Sequence, residues 1–368
     1  MKYCSRCVMP DTKPGVYLDE NGVCSACVSV EKKRHIDWDA RRVELKQLCD
    51  SIRGTNGNGY DCLVSMSGGK DSQYQVWMMK MVHKMNILGV CVVPHLQTEE
   101  GIANLNTTVS AYNIDFIKLS LRPSVLKRMR RRAFFEMGEP NWADHCGVFA
   151  GVARVAYMYR VPMVVWGEDI AVEFGGKASN KSVASAEDLI RNDLIKDKTV
   201  ESFFDDVISA KNTVFYHHPR KDELQEKNLK SIYLGYYDDW DGQKHYEVVK
   251  QFGFKSRKQG PLSGNIIDYD NIDEKLCEIN IWFKFLKFGF WRPTDQCCYQ
   301  IWNQRMTRAE AVKLVNQKQY EFPKEYLREF LEYHSITEKE FWEVAEKFRN
   351  KDIWHKVKGE WRLKVPLV

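Results

Sequence analysis

Residues 67–72, with the sequence SGGKDS, combine the residue types that bind phosphate groups. They follow residues 61–66, a short apolar run typical of a buried strand, and precede apolar residues at helical spacing. Gly68 and Gly69 permit unusual backbone angles, and the free N–H groups of a following helix favour an anion. Lys70 adds a positive charge. The loop is not a Walker A motif, and a plain glycine turn is the alternative. We predict a phosphate site made of Ser67, Gly68, Gly69, Lys70, Asp71 and Ser72.

Four cysteines near the start of the chain have the spacing of a metal site. Cys4, Cys7, Cys24 and Cys27 form C-x2-C-x16-C-x2-C, in which each pair presents two sulfurs from a tight turn. Four thiolates close a tetrahedral coordination sphere and leave no position for a substrate. The predicted role is therefore a structural zinc site in a zinc-ribbon module. Iron is the alternative, because four thiolates also suit iron–sulfur centres.

The elements that would position the phosphate loop alternate between strands and helices. The predicted helices cover residues 38–52, 71 onward, 99–112, 123–137 and 146–159. The predicted strands cover residues 61–66, 87–93, 114–121 and 161–166, with a fifth at 232–237. Such alternation predicts an α/β fold with a doubly wound parallel sheet that is covered on both faces. In such sheets, ligands bind at the carboxyl ends of the strands.

Polar residues follow the second and fourth predicted strands, on the same rim as the phosphate loop. His95 and Thr98 follow the second strand and are candidates for the adenine side of a nucleotide site. Gly167 and Glu168 follow the fourth strand. Glu168 and Asp71 could hold magnesium, which prefers carboxylates together with phosphate oxygens. An ordinary loop histidine and a solvated loop end are the alternatives for His95 and Glu168. The candidate catalytic residues are Lys70, Asp71 and Glu168.

The C-terminal third is predicted to be helical. TRAE at 307–310 and TEKE at 337–340 have the capping-box pattern that opens a helix. The predicted division is a zinc-ribbon module with a linker helix at 1–50, a core domain at 55–270 and a helical region at 271–368.

One predicted helix is strongly basic. The stretch LKRMRRRAFF, residues 126–135, carries five basic residues. A solvated face is the favoured interpretation, and a nucleic-acid patch is the alternative.

The composition is that of a protein with a sizeable core and a mild positive charge. The chain has 368 residues, 44% of them hydrophobic, and a formal net charge of +5. That charge suits anionic small molecules and does not require nucleic acid. No apolar run approaches a membrane span, and MKYCSRCVMP is not a signal peptide. We therefore expect a cytoplasmic protein whose eleven cysteines are reduced.

The string SGGKDS resembles the signature of the PP-loop ATP pyrophosphatases, which have the adenine nucleotide alpha hydrolase-like fold. The whole chain resembles the N-acetyl sugar amidotransferases of acetamidino-sugar synthesis. The supporting stretches are CSRCVMPDT, VVWGED, YLGYYDDWDG, KFGFWRPTD and MTRAEAVKLV. The resemblance implies ATP and Mg²⁺, adenylation of the acetamido oxygen of an N-acetyl sugar, and replacement of AMP by ammonia. The sugar would be a nucleotide-linked hexose or a nine-carbon nonulosonate, as a precursor of lipopolysaccharide or flagellin glycans.

The same resemblance implies that ammonia comes from a separate glutaminase with a cyclase-like barrel subunit, similar to those of imidazole-glycerol-phosphate synthase. The positions of the cysteines in the sequence agree with a separate source of ammonia. Position 2 is Lys2, whereas an N-terminal-cysteine glutaminase needs Cys there. None of the cysteines lies in the G-x-C-x-G turn of a triad glutaminase.

Two other functions remain open at this stage. The first is a tRNA-modifying PP-loop enzyme of the thiolation type, which the zinc ribbon and the basic helix would suit. Such enzymes usually carry a C-x-x-C pair near the ATP site, and residues 60–300 contain none. The second is a scaffold with a decayed site, against which the intact SGGKDS argues.

Overall fold

The computed structural model describes residues 1–167, 198–226 and 229–368. None of the helices in these ranges is long and apolar enough for a bilayer crossing. In chain order the helices are α1 Ser25–Lys33, α2 Trp38–Ile52, α3 Lys70–Trp77, α4 Glu99–Tyr112, α5 Pro123–Met137, α6 Trp142–Met158, α7 Lys221–Glu226, α8 Leu234–Tyr237, α9 Gly242–Lys250, α10 Cys277–Phe288, α11 Arg292–Trp302, α12 Arg308–Lys318, α13 Leu327–His334 and α14 Glu338–Phe348.

A sheet of five parallel strands forms the centre of the fold. Its strands are β1 Cys62–Ser65, β2 Ile87–Val92, β3 Asp115–Leu119, β4 Met163–Trp166 and β5 Lys230–Tyr233. The spatial order is β3-β2-β1-β4-β5. Leu63 of β1 pairs with Leu88 of β2 on one side and with Val164 of β4 on the other. The predicted α/β fold with a parallel sheet is confirmed.

Helices cover both faces of this sheet. Cys62 and Val64 of β1 belong to a core with residues of α2, α3, α4 and α9. Leu63, which points to the opposite face, belongs to a second core with residues of α5 and α6. Because both faces are buried at the centre of the sheet, β1, β2 and β4 are almost continuously apolar, whereas the edge strand β3 carries the exposed residues Asp115 and Lys118.

The strand order reverses at β1, and this reversal determines where a ligand can bind. From β1 the chain proceeds to β2 and β3 on one side and then crosses to β4 and β5 on the other. Open α/β sheets bind ligands in the crevice at the carboxyl ends of the strands, where the order reverses. The phosphate loop at 67–72 follows β1 and Gly167 follows β4, so both lie at the reversal.

The fifth strand differs from its prediction. The strand predicted at 232–237 ends at Tyr233, and Leu234–Tyr237 form the helical turn α8. The ladder between β4 and β5 ends with Trp166 opposite Tyr233. One further hydrogen bond lies beyond this ladder, and in it the Gly235 N–H donates to the Gly167 carbonyl at 3.0 Å. The chain then leaves the edge of the sheet.

The C-terminal region contains the predicted helices and an additional hairpin. The capping boxes at Thr307 and Thr337 are confirmed, each with the side chain of the glutamate three residues later returning to the cap backbone. The hairpin consists of β6 Trp354–Val357 and β7 Glu360–Leu363, paired antiparallel, and was not predicted. Its strands are only four residues long, which is too short for a pattern of polar and apolar residues to distinguish them from a loop.

The basic helix α5 does not present one solvated face, which corrects the favoured interpretation. Arg128 lies at the surface and pairs with Asp205 at 2.8 Å and Asp206 at 2.9 Å. Arg130, in contrast, is completely buried. A buried guanidinium needs compensating partners, and the sequence of a single helix does not reveal them.

Candidate functional site

The phosphate loop has a backbone that requires glycine. Gly68 has a φ of +99°, and a Cβ placed there would lie 2.5 Å from the carbonyl oxygen of Gly101. The Ser67 hydroxyl accepts the Gly69 N–H at 3.2 Å, and the Ser72 hydroxyl donates to the Gly69 carbonyl at 2.9 Å. Helix α3 begins at Lys70 without a side-chain cap, so its first N–H groups are available to an anion.

Lys70 is buried and held between two carboxylates. Its Nζ lies 2.9 Å from Asp71 Oδ2 and 2.5 Å from Asp270 Oδ1, and only 7% of the residue is exposed. Burial opposes the charged form, but the carboxylates of Asp270 and Asp71 outweigh it and hold the pKa of Lys70 above its ordinary value. Lys70 is therefore cationic at neutral pH, and an incoming phosphate must compete with Asp270.

Asp71 is oriented by a histidine that the sequence did not single out. His245 of α9 donates from Nδ1 to Asp71 Oδ1 at 2.7 Å, and its ring stacks on Tyr74 at 3.9 Å and packs edge-on against Trp240. Burial would raise the pKa of Asp71, but the charge of Lys70 and the hydrogen bond from His245 keep it below its ordinary value. The Asp71 side chain keeps 40% of its surface exposed, so solvent screens part of this effect and a ligand could reach it.

His245 and Asp270 are the two residues of this site that sequence reasoning missed. His245 lies twelve residues after the end of β5, in the helix α9, so the rule that ligands bind beyond the carboxyl ends of the strands points only to its region of the chain. Asp270 lies in an irregular segment before α10, and no local pattern marks it.

Two glycines allow close packing against α3, which contains Lys70 and Gln75. A Cβ on Gly242 would lie 3.0 Å from Cε of Lys70. A Cβ on Gly167 would lie 2.7 Å from the side-chain nitrogen of Gln75 and 2.8 Å from the Trp240 ring. Gly167 thus lies beside α3, and its predicted role in binding a cofactor stays a prediction. Glu168 lies outside the described residues, and its predicted role as a magnesium ligand stays a prediction.

Thr98 and His95 occupy different environments. Thr98 caps α4, because its hydroxyl accepts the Gly101 N–H at 2.9 Å, and it also donates to the Ile272 carbonyl. His95 is exposed, and its ring lies 4.9 Å from that of Tyr333. Thr98 therefore has a structural function, whereas a contact of His95 with adenine stays a prediction.

A cavity of about 590 Å³ opens beside the His245–Asp71 pair. It lies between α2 and α9, and Arg42, Tyr74, Asp238, Lys244 and His245 are among its lining residues. The Tyr74 hydroxyl donates to Asp238 at 2.7 Å, and Arg42 pairs with the same carboxylate at 3.1 Å. The polar groups of its wall are largely paired with one another.

The four predicted metal ligands come together. The Sγ atoms of Cys4, Cys7, Cys24 and Cys27 are buried and lie within 4.8 Å of one another. The separations Cys4–Cys27 and Cys7–Cys24 are 3.9 and 3.6 Å. Zinc–sulfur bonds of about 2.3 Å in a tetrahedron require sulfur separations of roughly 3.8 Å. This cluster could hold a structural metal such as zinc.

The cysteine cluster is well supplied with hydrogen-bond donors. Cys4 Sγ accepts backbone N–H groups from Arg6 at 3.3 Å and Cys24 at 3.2 Å. The indole of Trp302 donates to Cys27 Sγ at 3.3 Å. Such donors stabilise thiolate charge, which is what a metal ligand requires.

The N-terminal module is fastened to the C-terminal region. Arg308 donates to the carbonyl oxygens of Cys4 at 3.3 Å and Cys7 at 3.2 Å. The four cysteines share an apolar core with Phe290, Cys297 and Trp302. The cysteine cluster therefore lies where the N-terminal module and the C-terminal region meet.

Comparison with known proteins relates the C-terminal region to one family. Residues 235–366 match the model described as "LPS biosynthesis protein WbpG-like, C-terminal domain". This similarity supports a function in lipopolysaccharide or sugar biosynthesis, and such a biosynthetic function suggests an enzyme.

A curated relative matches a smaller part of the chain. It is the uncharacterized protein MJ1599 of Methanocaldococcus jannaschii, which is 26% identical over 118 residues. The match covers 32% of this chain and 42% of that protein, so the chain spans less than half the length of the relative.

The region that matches the family model contributes directly to the site. It contains His245 and Asp270, which contact Asp71 and Lys70. It also contains Arg305, which pairs with Asp241, the residue that caps α9. The phosphate loop and the matched region therefore build one site together.

Proposed function

We propose that this protein is an ATP-dependent amidotransferase that forms AMP and pyrophosphate. The acetamido oxygen of an N-acetyl sugar would attack the α-phosphorus of ATP, and pyrophosphate would leave. Ammonia would then add to the activated carbon and AMP would leave, giving an acetamidino sugar. The observation that carries the proposal is the glycine loop with Lys70 at the reversal of strand order, which also supports the PP-loop fold.

The residues of the site would act by positioning and by stabilising charge. The N–H groups at the start of α3 and the ammonium group of Lys70 would bind phosphate oxygens and stabilise the departing pyrophosphate. Magnesium, when bound, would neutralise phosphate charge, with Asp71 and Glu168 as its protein ligands. His245 would hold Asp71 in one orientation. The proposed reaction needs no covalent nucleophile, because alignment of the two reactants lowers the barrier.

The proposed sugar substrate and partners come from the sequence resemblance and from the family match. The WbpG-like similarity supports a sugar acceptor, nucleotide-linked or of the nonulosonate type. Ammonia would come from a separate glutaminase with a barrel subunit. We place the reaction in the cytoplasm, where ATP is available, and assign zinc as the structural metal of the four cysteines. The division into segments 1–50, 55–270 and 271–368 stays a prediction.

Exchange of labelled pyrophosphate into ATP tests the proposal. We expect exchange that depends on an N-acetyl sugar, because the first step is reversible while ammonia is withheld. Lys70→Ala and Asp71→Ala should lower it at least about 100-fold, the loss typical of removing a charge-stabilising group. Lys250→Ala, at an exposed lysine of α9, is the matched control.

Circular dichroism would verify that each variant is folded. Exchange that depends on tRNA would support the thiolation-type alternative instead. Near-normal exchange in both Lys70→Ala and Asp71→Ala would exclude the proposed site.

A further inference from the structure

The stretch YLGYYDDWDG contains an acidic segment that the proposed function does not yet use. Its residues are Asp238, Asp239, Trp240 and Asp241, which connect α8 to α9, and we call them the acidic linker. Asp238, Trp240 and Asp241 are each less than one-tenth exposed. Carboxylates so close together repel one another, and their burial is tolerated only where cations meet them. The partners of the acidic linker therefore determine where it lies.

The N-terminal part of the chain holds the first three residues of the acidic linker. Arg42 of α2 lies 3.1 Å from Asp238 Oδ1. Lys33, the last residue of α1, lies 3.5 Å from Asp239 Oδ1 and donates to the Trp240 carbonyl at 3.2 Å. Two helices that precede the sheet thus fix one side of the linker.

Arg305, in the C-terminal region, holds the last residue of the linker. Its guanidinium donates to both carboxylate oxygens of Asp241, and its Nη1 lies 3.1 Å from Oδ1. The Asp241 side chain is 2% exposed, whereas that of Arg305 is 27% exposed. A bidentate pair of this kind fixes the orientation of the carboxylate as well as its distance. Arg305 therefore anchors the linker from the side opposite in sequence.

Asp241 in turn fixes the start of α9 and thereby the position of His245. Its side chain caps the helix, and its carbonyl accepts the His245 N–H at 2.9 Å. The ring of His245 lies 3.9 Å from that of Tyr74 and 4.3 Å from that of Trp240. From this place His245 donates to Asp71 at 2.7 Å. A change in the direction of α9 would move the donor that orients Asp71.

We infer that Arg305 is a positioning residue of the proposed active site, because it holds Asp241 and through Asp241 keeps His245 on Asp71. The inference rests on the proposed function, in which Asp71 is a ligand of the magnesium that accompanies ATP. It adds a series of contacts by which the region that matches the family model sets the orientation of a residue in the phosphate loop. A purely structural ion pair would stabilise the fold without affecting Asp71.

The hydrogen bond between His245 and Asp71 can be observed by NMR in the full chain labelled with ¹⁵N-histidine. The His245 side chain is 1% exposed and its Nδ1 proton is hydrogen-bonded, so this proton should exchange slowly with water and give a signal. Loss of the signal in His245→Phe assigns it among the nine histidines. We expect Arg305→Gln to lose the signal. Arg305→Lys, which keeps the charge but not the bidentate contact, should show it weakened.

A double variant guards against misfolding of Arg305→Gln, which leaves Asp241 buried without a cation. Arg305→Gln combined with Asp241→Asn removes both charges, and asparagine is as good a helix cap as aspartate. This double variant should also lose the His245 signal, because nothing then holds the linker from the C-terminal side.

Exchange of labelled pyrophosphate into ATP measures the consequence for activity. Arg305→Gln and His245→Phe should each lower the exchange rate at saturating ATP roughly tenfold, which lies within the range that small displacements in an active site produce. If Arg305 acts through His245, the variant that combines both changes should lose no more than His245→Phe alone. A combined loss equal to the product of the two single losses would overturn the inference.

Arg349→Gln is the matched control. Arg349 is a second arginine of the C-terminal region, and its side chain is 7% exposed and pairs with Glu346 at 2.9 Å. Its other described contacts are with the rings of Trp354 and Trp361. Arg349→Gln should lower the Tm but leave the His245 signal and the exchange rate unchanged.

The two measurements separate this inference from the proposed function. An unchanged His245 signal in all Arg305 variants, with sugar-dependent exchange in the wild type, would overturn the inference and keep the proposed function. No sugar-dependent exchange in the wild type, with the signal lost in the Arg305 variants, would refute the proposed function and keep the positioning of His245 by Arg305. Absence of the signal from the wild type would overturn the inference, because His245 would then not be held on Asp71.

Discussion

Replacing Asp270 by asparagine should weaken the fold and strengthen ATP binding by similar amounts. Asp270 lies 2.5 Å from Lys70 Nζ, and the two side chains are 19% and 8% exposed. Asparagine keeps the shape and an acceptor oxygen but loses the charge. Hydrogen bonds to charged groups contribute about 1.5–3 kcal/mol and neutral ones about 0.5–1.5, so the expected loss is roughly 1 kcal/mol.

The gain in affinity follows from the same free energy. If the phosphates of ATP displace Asp270 from Lys70, the bound state no longer contains this ion pair. The substitution then destabilises only the free protein, and roughly 1 kcal/mol corresponds to about a fivefold lower Kd. Calorimetric titration with a magnesium–ATP analogue measures the affinity. Thermal unfolding should show a Tm lower by about 1–2 °C.

A neighbouring carboxylate serves as the control, and two results would refute the displacement of Asp270 by ATP. Asp268→Asn changes a carboxylate in the same segment that forms no ion pair with Lys70 in the described structure, and should alter neither quantity. Weaker ATP binding in Asp270→Asn would mean that Asp270 contacts the nucleotide or its metal. Lower stability with unchanged affinity would mean that Asp270 stays on Lys70 when ATP is bound. Either result would refute the displacement of Asp270.

Three further predictions concern the metal, a buried histidine and the nitrogen source. Protein purified without added metal should contain one zinc per chain; Cys7→Ser should lose it and Cys298→Ala should keep it, whereas an iron spectrum would contradict the assignment. Burial lowers the pKa of His334 from its ordinary value of 6.5 to about 3. As the pH falls below about 6.5, the unfolded chain therefore binds a proton that the folded chain does not bind, and the free energy of unfolding decreases. Urea unfolding at a series of pH values measures this effect. In His334→Asn the free energy of unfolding should change less steeply with pH than in the wild type, by up to about 1.4 kcal/mol per pH unit between pH 6.5 and 4.5, while the exposed His355→Asn keeps the wild-type dependence on pH. With ATP, magnesium and an N-acetyl sugar, the isolated chain should turn over with ammonium and faster from pH 7 to 9, as more NH3 is present; turnover with glutamine would reveal a glutaminase site.

The sequence alone determined the features that depend on short segments. The glycines and Lys70 of the phosphate loop, the two capping boxes and the paired C-x-x-C turns are all local patterns. Each one specifies its own backbone geometry within a few residues. The parallel sheet also followed from the sequence, because a regular alternation of strands and helices has few other compact arrangements.

Only the tertiary structure decided which distant groups meet. Asp71 and His245 are 174 residues apart in the chain, and Lys70 and Asp270 are 200 apart. No local periodicity relates such positions, because their contact depends on how α9 and the segment before α10 pack on the rim of the sheet. The sequence marked Lys70 and its neighbour Asp71, but the second counter-ion of Lys70, Asp270, came from the fold.

Arg130 illustrates the same limit on one helix. Its sequence neighbours are basic, so a solvated face was the reasonable interpretation, and Arg128 conforms to it. Arg130 is buried because residues from three separate segments enclose it, with Asp144, Glu274 and Tyr333 as their contacts. Burial of a charge is tolerated only where partners converge on it, and convergence of partners from separate segments is a property of the folded chain.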